Sequence, residues 1–269
     1  MSLHTLSEGG RIFYLYHPSV SELPTLVFFN PLTGDTGNWE AVVAPRLRKK
    51  GFGTLSFDYR GQTNSPLSLN MPLNSTVIVN DSVELLKIIC PRRPVFVGLS
   101  IGGLYAAQAW LEGSTAEKLV LINTLRRNGP RLKWIGDALV RAAELGGLQL
   151  FRDLYLPLLM NEDWLATNRK EFLKRSDGYV ALAPESGHYR LLAEAGPTAD
   201  WEFPYEALDL PTLVITGLQD HVFLEHKSVD EIFTRLPQGK RLDMPDAGHL
   251  IAGERPEALA DCIAEFALS

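Results

Sequence analysis

The chain has 269 residues, of which 45% are hydrophobic and 22% charged, and its formal net charge is −6. These values are typical of a globular protein with a large core, and the acidic balance argues against nucleic acid as a partner. No stretch approaches the roughly 18 apolar residues of a membrane span, and no apolar signal segment follows the N-terminus. Two cysteines, Cys90 and Cys262, cannot frame a disulfide-rich fold, so we expect a reducing, cytoplasmic compartment and no membrane partner.

Apolar runs and helical spacings alternate along most of the chain. The apolar runs predict strands over residues 12–16, 25–29, 53–59, 94–97, 118–123, 210–217 and 240–244. Helical patterns cover residues 39–50, 75–89, 104–111 and 229–236, and a closing helix begins near residue 254. Strands that alternate with helices at this spacing predict an α/β fold with a mostly parallel central sheet flanked by helices.

The alternation breaks between residues 124 and 201, where the pattern is helical and no strand is predicted. We interpret residues 124–201 as a helical cap inserted into a core of residues 1–123 and 202–269, lying over the carboxyl ends of the strands. Two of its aromatic residues, Trp134 and Tyr155, are candidate substrate contacts, although such residues more often form the core of a cap. The start of the segment is basic and could meet an anionic substrate, although a solvated helix face is the commoner explanation. The basic residues are Arg126, Arg127, Arg131 and Lys133.

One short stretch, Gly98-Leu99-Ser100-Ile101-Gly102-Gly103, connects a predicted strand to a predicted helix. A serine at such a sharp turn is held out at the edge of the sheet, and the backbone leaves room only for small residues two positions to either side. Gly98 and Gly102 meet that requirement. The pattern therefore predicts that Ser100 is a nucleophile, and the alternative is a glycine-rich connection with an ordinary capping serine.

A nucleophilic serine needs a histidine as its base and a carboxylate that orients the histidine. Asp220 and His249 each follow a predicted strand, and the carboxyl ends of parallel strands meet at one edge of a sheet, so both side chains should converge on the serine. Asp220 could instead be only a helix cap. Asp243 and Asp246 are weaker candidates for the carboxylate, because they lie on the strand and loop that present the histidine itself. His221 is too near Asp220 in sequence to contact both partners.

Acyl transfer also needs hydrogen-bond donors aimed at the developing oxyanion, each worth roughly 3–4 kcal/mol. The backbone amide of Ile101 is the first candidate, because it follows the nucleophile at a helix N-terminus. The second donor should come from the loop after the second predicted strand, unless that loop is a plain turn. Since Pro31 has no N–H group, Leu32 is the preferred donor and Thr33 the reserve. Asn30, in the same loop, is a candidate substrate contact.

With these residues the chain resembles the α/β-hydrolase fold superfamily, in its serine-hydrolase branch, over essentially its whole length. The matching motifs are Asn30-Pro31-Leu32, Asp58-Tyr59-Arg60-Gly61, Gly98-Leu99-Ser100-Ile101-Gly102-Gly103, Gly217-Leu218-Gln219-Asp220 and Gly248-His249. A narrower likeness is to the small capped carboxylesterases and 3-oxoadipate enol-lactonases, which often carry asparagine in the first loop. Two positions depart from the common pattern: Asn30 replaces a histidine, and Gln62-Thr63 replaces the usual x-Gly, which predicts a differently shaped oxyanion loop.

The resemblance implies a serine hydrolase that cleaves an ester or lactone bond of a small molecule through an acyl-enzyme. The same residues also serve thioesters, amides and some carbon–carbon bonds, and a ligand-sensing binding protein is a further alternative. Serine at position 100 argues against haloalkane dehalogenase and epoxide hydrolase chemistry, which the resemblance links to aspartate. Because the chain has no GxGxxG, Walker or HExxH motif, we expect neither a cofactor nor a metal. The sequence does not indicate an oligomeric state.

Overall fold

The computed structural model describes residues 2–7, 9–68, 70–173 and 178–269 of the chain. Its strands are β1 (Ser2–Thr5), β2 (Arg11–His17), β3 (Thr25–Phe29), β4 (Gly53–Phe57), β5 (Pro94–Leu99), β6 (Lys118–Ile122), β7 (Thr212–Gly217) and β8 (Gly239–Met244). They form one sheet in the order β1-β2-β4-β3-β5-β6-β7-β8. The pairs from β4 to β8 are parallel, whereas β2 is antiparallel to both β1 and β4. The mostly parallel sheet is thereby confirmed.

Helices cover both faces of this sheet. They are α1 (Gly37–Glu40), α2 (Val43–Lys49), α3 (Ser75–Ile89), α4 (Ile101–Leu111), α5 (Pro130–Leu159), α6 (Glu162–Asn168), α7 (Gly187–Arg190), α8 (His226–Phe233), α9 (Ile251–Glu254) and α10 (Pro256–Leu268). Successive side chains of a strand point to opposite faces, so Val27 and Phe29 pack with α3 and α4, while Leu26 and Phe28 pack with α2 and α10. Burial on both faces explains why the central strands are apolar throughout.

Two local features differ from the sequence-based expectation. The strand β1 is short, three of its four residues are polar, and no apolar run predicts it. The single helix expected over residues 39–50 is two helices, with a break at Val42, whose φ is −142°. Pro45 explains the break, because it has no N–H group for the carbonyl of Ala41 and its ring crowds that carbonyl in a continuous helix.

The segment between β6 and β7 is built from helices, and no strand lies in its described residues. Its long helix α5 is kinked at Gly146 and Gly147, where the φ of Gly147 is +66° and a Cβ atom would lie 2.1 Å from the carbonyl oxygen of Val180. The C-terminal end of α5 contacts the loops that follow β7 and β8. The carbonyl oxygens of Leu158 and Leu159 accept hydrogen bonds from the amides of His221 and His249 at 2.8 and 2.5 Å. The division at residues 124 and 201 stays a prediction.

No helix among the residues that the structure describes is both long enough and apolar enough to span a bilayer.

Candidate active site

Ser100 lies in a strained turn between β5 and α4, with a φ of +59° and a ψ of −125°. Backbone contacts leave no space for side chains beside it. A Cβ atom on Gly98 would lie 2.4 Å from Gly103, and one on Gly102 would lie 2.4 Å from the carbonyl oxygens of Phe29 and Asn30. The glycines are therefore required by close approach, as expected for a turn that presents a serine at the sheet edge.

Asp220 and His249 form a buried pair at the same edge of the sheet. The Oδ2 atom of Asp220 lies 2.6 Å from Nδ1 of His249, and both side chains are at most 4% exposed. The Oδ1 atom of Asp220 accepts hydrogen bonds from the amides of Val222 and Phe223. Asp220 thus caps a turn as well, and not a helix, because the next helix begins at His226. The alternative carboxylates, Asp243 and Asp246, pair instead with Arg241 and Arg255 near the surface, each at 2.9 Å.

The electrostatic surroundings favour the charged form of Asp220. Burial by itself raises the pKa of this carboxyl group, but the charge and hydrogen bond of His249, the amide of Phe223 and the charge of Arg126 together lower it below the ordinary value of 3.8. A carboxylate that remains ionised can fix the orientation of the histidine ring and stabilise an imidazolium.

Asn123 connects the loops that carry the acid and the histidine. It follows β6 in a left-handed conformation, with a φ of +48°. Its side-chain nitrogen donates to the carbonyl oxygens of Gly248 and His249 at 3.0 and 2.8 Å, and its side-chain oxygen accepts from the amide of Gly217 at 2.8 Å. From the sequence, Asn123 is predicted only as the last residue of a strand. A polar residue at the carboxyl end of an apolar strand is the sequence feature that could have indicated a role at this edge of the sheet.

Arg126 lies beside the serine and is only 6% exposed. Its Nη2 atom donates to Oγ of Ser100 at 3.2 Å and to the carbonyl oxygen of Asn123 at 2.6 Å. The guanidinium carbon lies 4.6 Å from the ring centroids of both Trp201 and Phe223. Burial lowers the pKa of Arg126 to about 10, so the side chain is a cation at neutral pH. Of the four basic residues between positions 126 and 133, Arg126 is therefore not on a solvated face.

The two predicted oxyanion donors are the backbone amides of Leu32 and Ile101. Within the described part of the chain, the amides of Leu32 and Ile101 donate to no protein acceptor. Free backbone amides at a loop and a helix N-terminus are the arrangement that binds a developing oxyanion. Their role as an oxyanion hole stays a prediction.

The two departures from the common sequence pattern, Asn30 and Gln62, bond to each other. Gln62 accepts hydrogen bonds from Nδ2 of Asn30 at 2.8 Å and from the amide of Tyr59 at 2.9 Å. It also donates to the carbonyl oxygens of Pro31 and Leu32 at 2.9 and 3.1 Å. One glutamine side chain thus fixes the loop that carries the Leu32 amide.

Asn30 is fully buried, and its role as a substrate contact stays a prediction. Its Nδ2 atom donates to the carbonyl oxygen of Phe57 and to Gln62, and its Oδ1 atom accepts from Nε1 of Trp39 at 2.9 Å. These bonds occupy both amide hydrogens. These contacts hold the loop that begins at Asn30 against Phe57, Gln62 and Trp39.

Comparison with known proteins agrees with this geometry. The alpha/beta hydrolase family model matches residues 26–262. The chain belongs to this family. It is 29% identical to RutD of Stutzerimonas stutzeri, named as a carbamate hydrolase, over 74% of this chain and 75% of that protein.

Solved structures of α/β-hydrolases superimpose on nearly the whole chain. MGS-M2, an α/β-hydrolase enzyme from a Medee basin deep-sea metagenome library, has a TM-score of 0.83 at 20% identity and covers 98% of this chain and 96% of its own. The enol-lactonase of Burkholderia xenovorans LB400 has a TM-score of 0.80 at 23% identity and full coverage of both chains. The family resemblance and the fold class predicted from sequence are confirmed, and the chain is an α/β-hydrolase.

In this α/β-hydrolase, Trp134 and Tyr155 line a surface groove of about 470 Å³ along α5. Trp134 is 80% exposed, and Tyr155 stacks on Phe151 with ring centroids 5.7 Å apart. The groove is lined by Pro130, Arg131, Trp134, Ile135, Ala138 and Tyr155, and Ser100 is not among these residues. The role of Trp134 and Tyr155 as substrate contacts stays a prediction.

Among the residues that the structure describes, no group of three or more His, Cys, Asp or Glu side chains could hold a metal ion.

Proposed function

We propose that this α/β-hydrolase is a serine hydrolase that cleaves an ester or lactone bond of a small molecule. The observation that carries the proposal is the buried 2.6 Å contact between Asp220 and His249, at the sheet edge where a strained turn presents Ser100. A serine hydroxyl is a weak nucleophile without a base, and a histidine with a carboxylate behind it is such a base.

Each step of the proposed reaction has a residue to perform it. Ser100 attacks the carbonyl carbon while His249 accepts its proton, and Asp220 stabilises the resulting imidazolium. The amides of Leu32 and Ile101 donate hydrogen bonds to the tetrahedral oxyanion. His249 then protonates the leaving group, and afterwards it activates the water that cleaves the acyl-enzyme.

A fluorophosphonate probe tests the nucleophile without a choice of substrate. We expect intact-mass spectrometry to detect one adduct per chain, mapped to Ser100, because only an activated serine reacts at a useful rate. The adduct should be absent in Ser100→Ala and formed far more slowly in His249→Ala. A folded natural chain that gives no adduct would contradict the proposal and favour the ligand-binding alternative.

The loop contacts of Gln62 give a second expected outcome. Gln62→Leu removes the hydrogen bonds that fix Pro31 and Leu32, so the Leu32 amide should lose its orientation towards the oxyanion. We expect kcat to fall roughly 10- to 100-fold, with a smaller change in KM. This decrease is no larger than the decrease in kcat expected when one oxyanion donor is removed completely. Steady-state kinetics on a simple ester such as 4-nitrophenyl acetate measures this.

The matched control for this variant is Gln238→Leu, since Gln238 is exposed and its side chain donates a hydrogen bond to the exposed residue Asp209. Its kinetics should resemble those of the natural chain. An unchanged kcat in a folded Gln62→Leu protein would remove Leu32 from the proposed oxyanion site.

A further inference from the structure

Three arginines of the described chain are buried, and two of them contact a carboxylate. Arg60 pairs with Asp81 at 2.6 Å and Arg190 pairs with Glu194 at 2.7 Å. Arg126 differs, because no carboxylate lies within ion-pair distance of it among the residues that the structure describes. The buried cation beside Ser100 is therefore without a counterion in contact.

The surroundings of Arg126 supply only partial compensation for its burial. Its Nη2 atom is bonded to Ser100 and Asn123, but its Nε atom is fully buried without a hydrogen-bond partner. Asp220 lies close enough to act on its charge, but the two oxygens of Asp220 are already bonded to His249 and to backbone amides. A buried charge is normally paired and fully hydrogen-bonded, so the Arg126 guanidinium has both charge and hydrogen-bonding capacity that an anionic group can satisfy.

The guanidinium group is also held in a fixed position. Trp201 and Phe223 each contact it at 4.6 Å, and the bond to the Asn123 carbonyl is short. A preorganised guanidinium loses little freedom when it binds a ligand, and its planar donors match a carboxylate. These contacts are typical of an arginine that recognises a ligand and not of a mobile arginine on the protein surface.

We propose that Arg126 binds a carboxylate of the substrate close to the scissile bond, so that the enzyme prefers anionic esters to neutral ones. The inference rests on the proposed hydrolase function and specifies its substrate class. Because Nη2 lies 3.2 Å from Oγ of Ser100, the carboxylate and the attacked carbonyl are separated by a short spacer. With charge-assisted hydrogen bonds of about 2.8 Å, that spacer is roughly one to three carbon atoms.

Two pairs of esters test whether anionic esters are preferred and on which side of the ester bond the carboxylate must lie. Monoethyl succinate and ethyl succinamate differ by a carboxylate or a neutral amide on the acyl side. Butanoyloxyacetate and butanoyloxyacetamide differ in the same way on the alcohol side. We expect kcat/KM, measured by pH-stat titration, to favour the anionic member of one pair roughly 10- to 100-fold, as for a hydrogen-bonded charge. A ratio near one in both pairs would overturn the inference.

Variants then assign the preference to Arg126. In Arg126→Met the ratio within the preferred pair should fall to near one, whereas Arg126→Lys, which keeps the charge, should retain part of it. The matched control is Arg127→Met, because Arg127 is 42% exposed and pairs with Glu231 on the surface. Its ratio should equal that of the natural chain. An undiminished ratio in folded Arg126→Met and Arg126→Lys proteins would exclude Arg126 as the carboxylate site.

A binding measurement separates this inference from the proposed function. Ser100→Ala cannot turn over, so calorimetry with succinate and succinamide reports recognition alone. Binding of succinate that is at least about 10-fold tighter than that of succinamide, and that is lost with Arg126→Met, supports the carboxylate site even if no ester is cleaved. Conversely, fluorophosphonate labelling of Ser100 together with equal binding of the two ligands leaves the hydrolase proposal standing and refutes the role of Arg126.

Discussion

Replacing Ser100 with alanine is expected to lower ester turnover at least about 1000-fold while changing the free energy of unfolding by less than about 1 kcal/mol. The substitution removes only the hydroxyl group. The shape of the turn is held by Gly98, Gly102 and Gly103, whose close backbone contacts do not involve that hydroxyl. Kinetics with an ester substrate and urea unfolding followed by circular dichroism measure the two quantities.

Ser82→Ala is the matched control for this prediction. Ser82 is also buried, but its hydroxyl donates to the carbonyl oxygen of Ile78 within α3, a helix that carries none of the three proposed catalytic residues. Its turnover should equal that of the natural chain. Substantial activity in Ser100→Ala, after removal of contaminating esterases, would exclude a nucleophilic Ser100.

Asp220→Asn is expected to lower kcat by roughly 1000- to 10,000-fold with little change in shape. The asparagine oxygen can still accept from the amides of Val222 and Phe223, but its nitrogen would donate to Nδ1 of His249. The ring would then hold its proton on Nε2 and could not accept the proton of Ser100. Steady-state kinetics and the rate of fluorophosphonate labelling should fall together.

Asp246→Asn is the control for the choice of the acid, since Asp246 lies near His249 in sequence but pairs with Arg255. Its kcat should be unaffected within a factor of about two. A larger loss in Asp246→Asn than in Asp220→Asn would reverse the assignment of the carboxylate.

The same variant has a pH-dependent effect on stability. The pKa of Asp220 is lower in the folded chain than its ordinary value of 3.8, so the unfolded chain binds the proton more tightly. This carboxylate therefore stabilises the fold above about pH 4, and the contribution is lost as the pH falls through the lowered pKa. Urea unfolding should show a larger destabilisation by Asp220→Asn at pH 7 than at pH 3.

The positions of Ser100, Asp220 and His249 could be predicted from the sequence because each follows a strand of a parallel sheet. Strand order then brings residues that are far apart in sequence to one edge, and no detailed packing is needed for that argument. The small residues around Ser100 were predictable for a similar reason, since the sharp turn excludes Cβ atoms whatever the rest of the fold is.

The contacts of Asn30, Gln62 and Arg126 could not be predicted in this way. Asn30 and Gln62 lie on different loops, and only the folded chain shows that their side-chain amides form a hydrogen bond to each other. Arg126 belongs to a basic segment whose charges usually face solvent, and its burial depends on Trp201 and Phe223, which are distant in sequence. Polar side chains at such positions are determined by tertiary packing, which periodicity does not report.

The kink at Gly147 divides α5 into two parts with different constraints. The C-terminal part accepts hydrogen bonds from the backbone of His221 and His249, so any shift there also shifts the proposed base. The N-terminal part carries the exposed Trp134 and makes no hydrogen bond to His221 or His249 among the described residues. Substitutions before the kink can therefore accumulate during evolution without touching these two hydrogen bonds, while residues after it are constrained to keep the proposed acid–base pair in place.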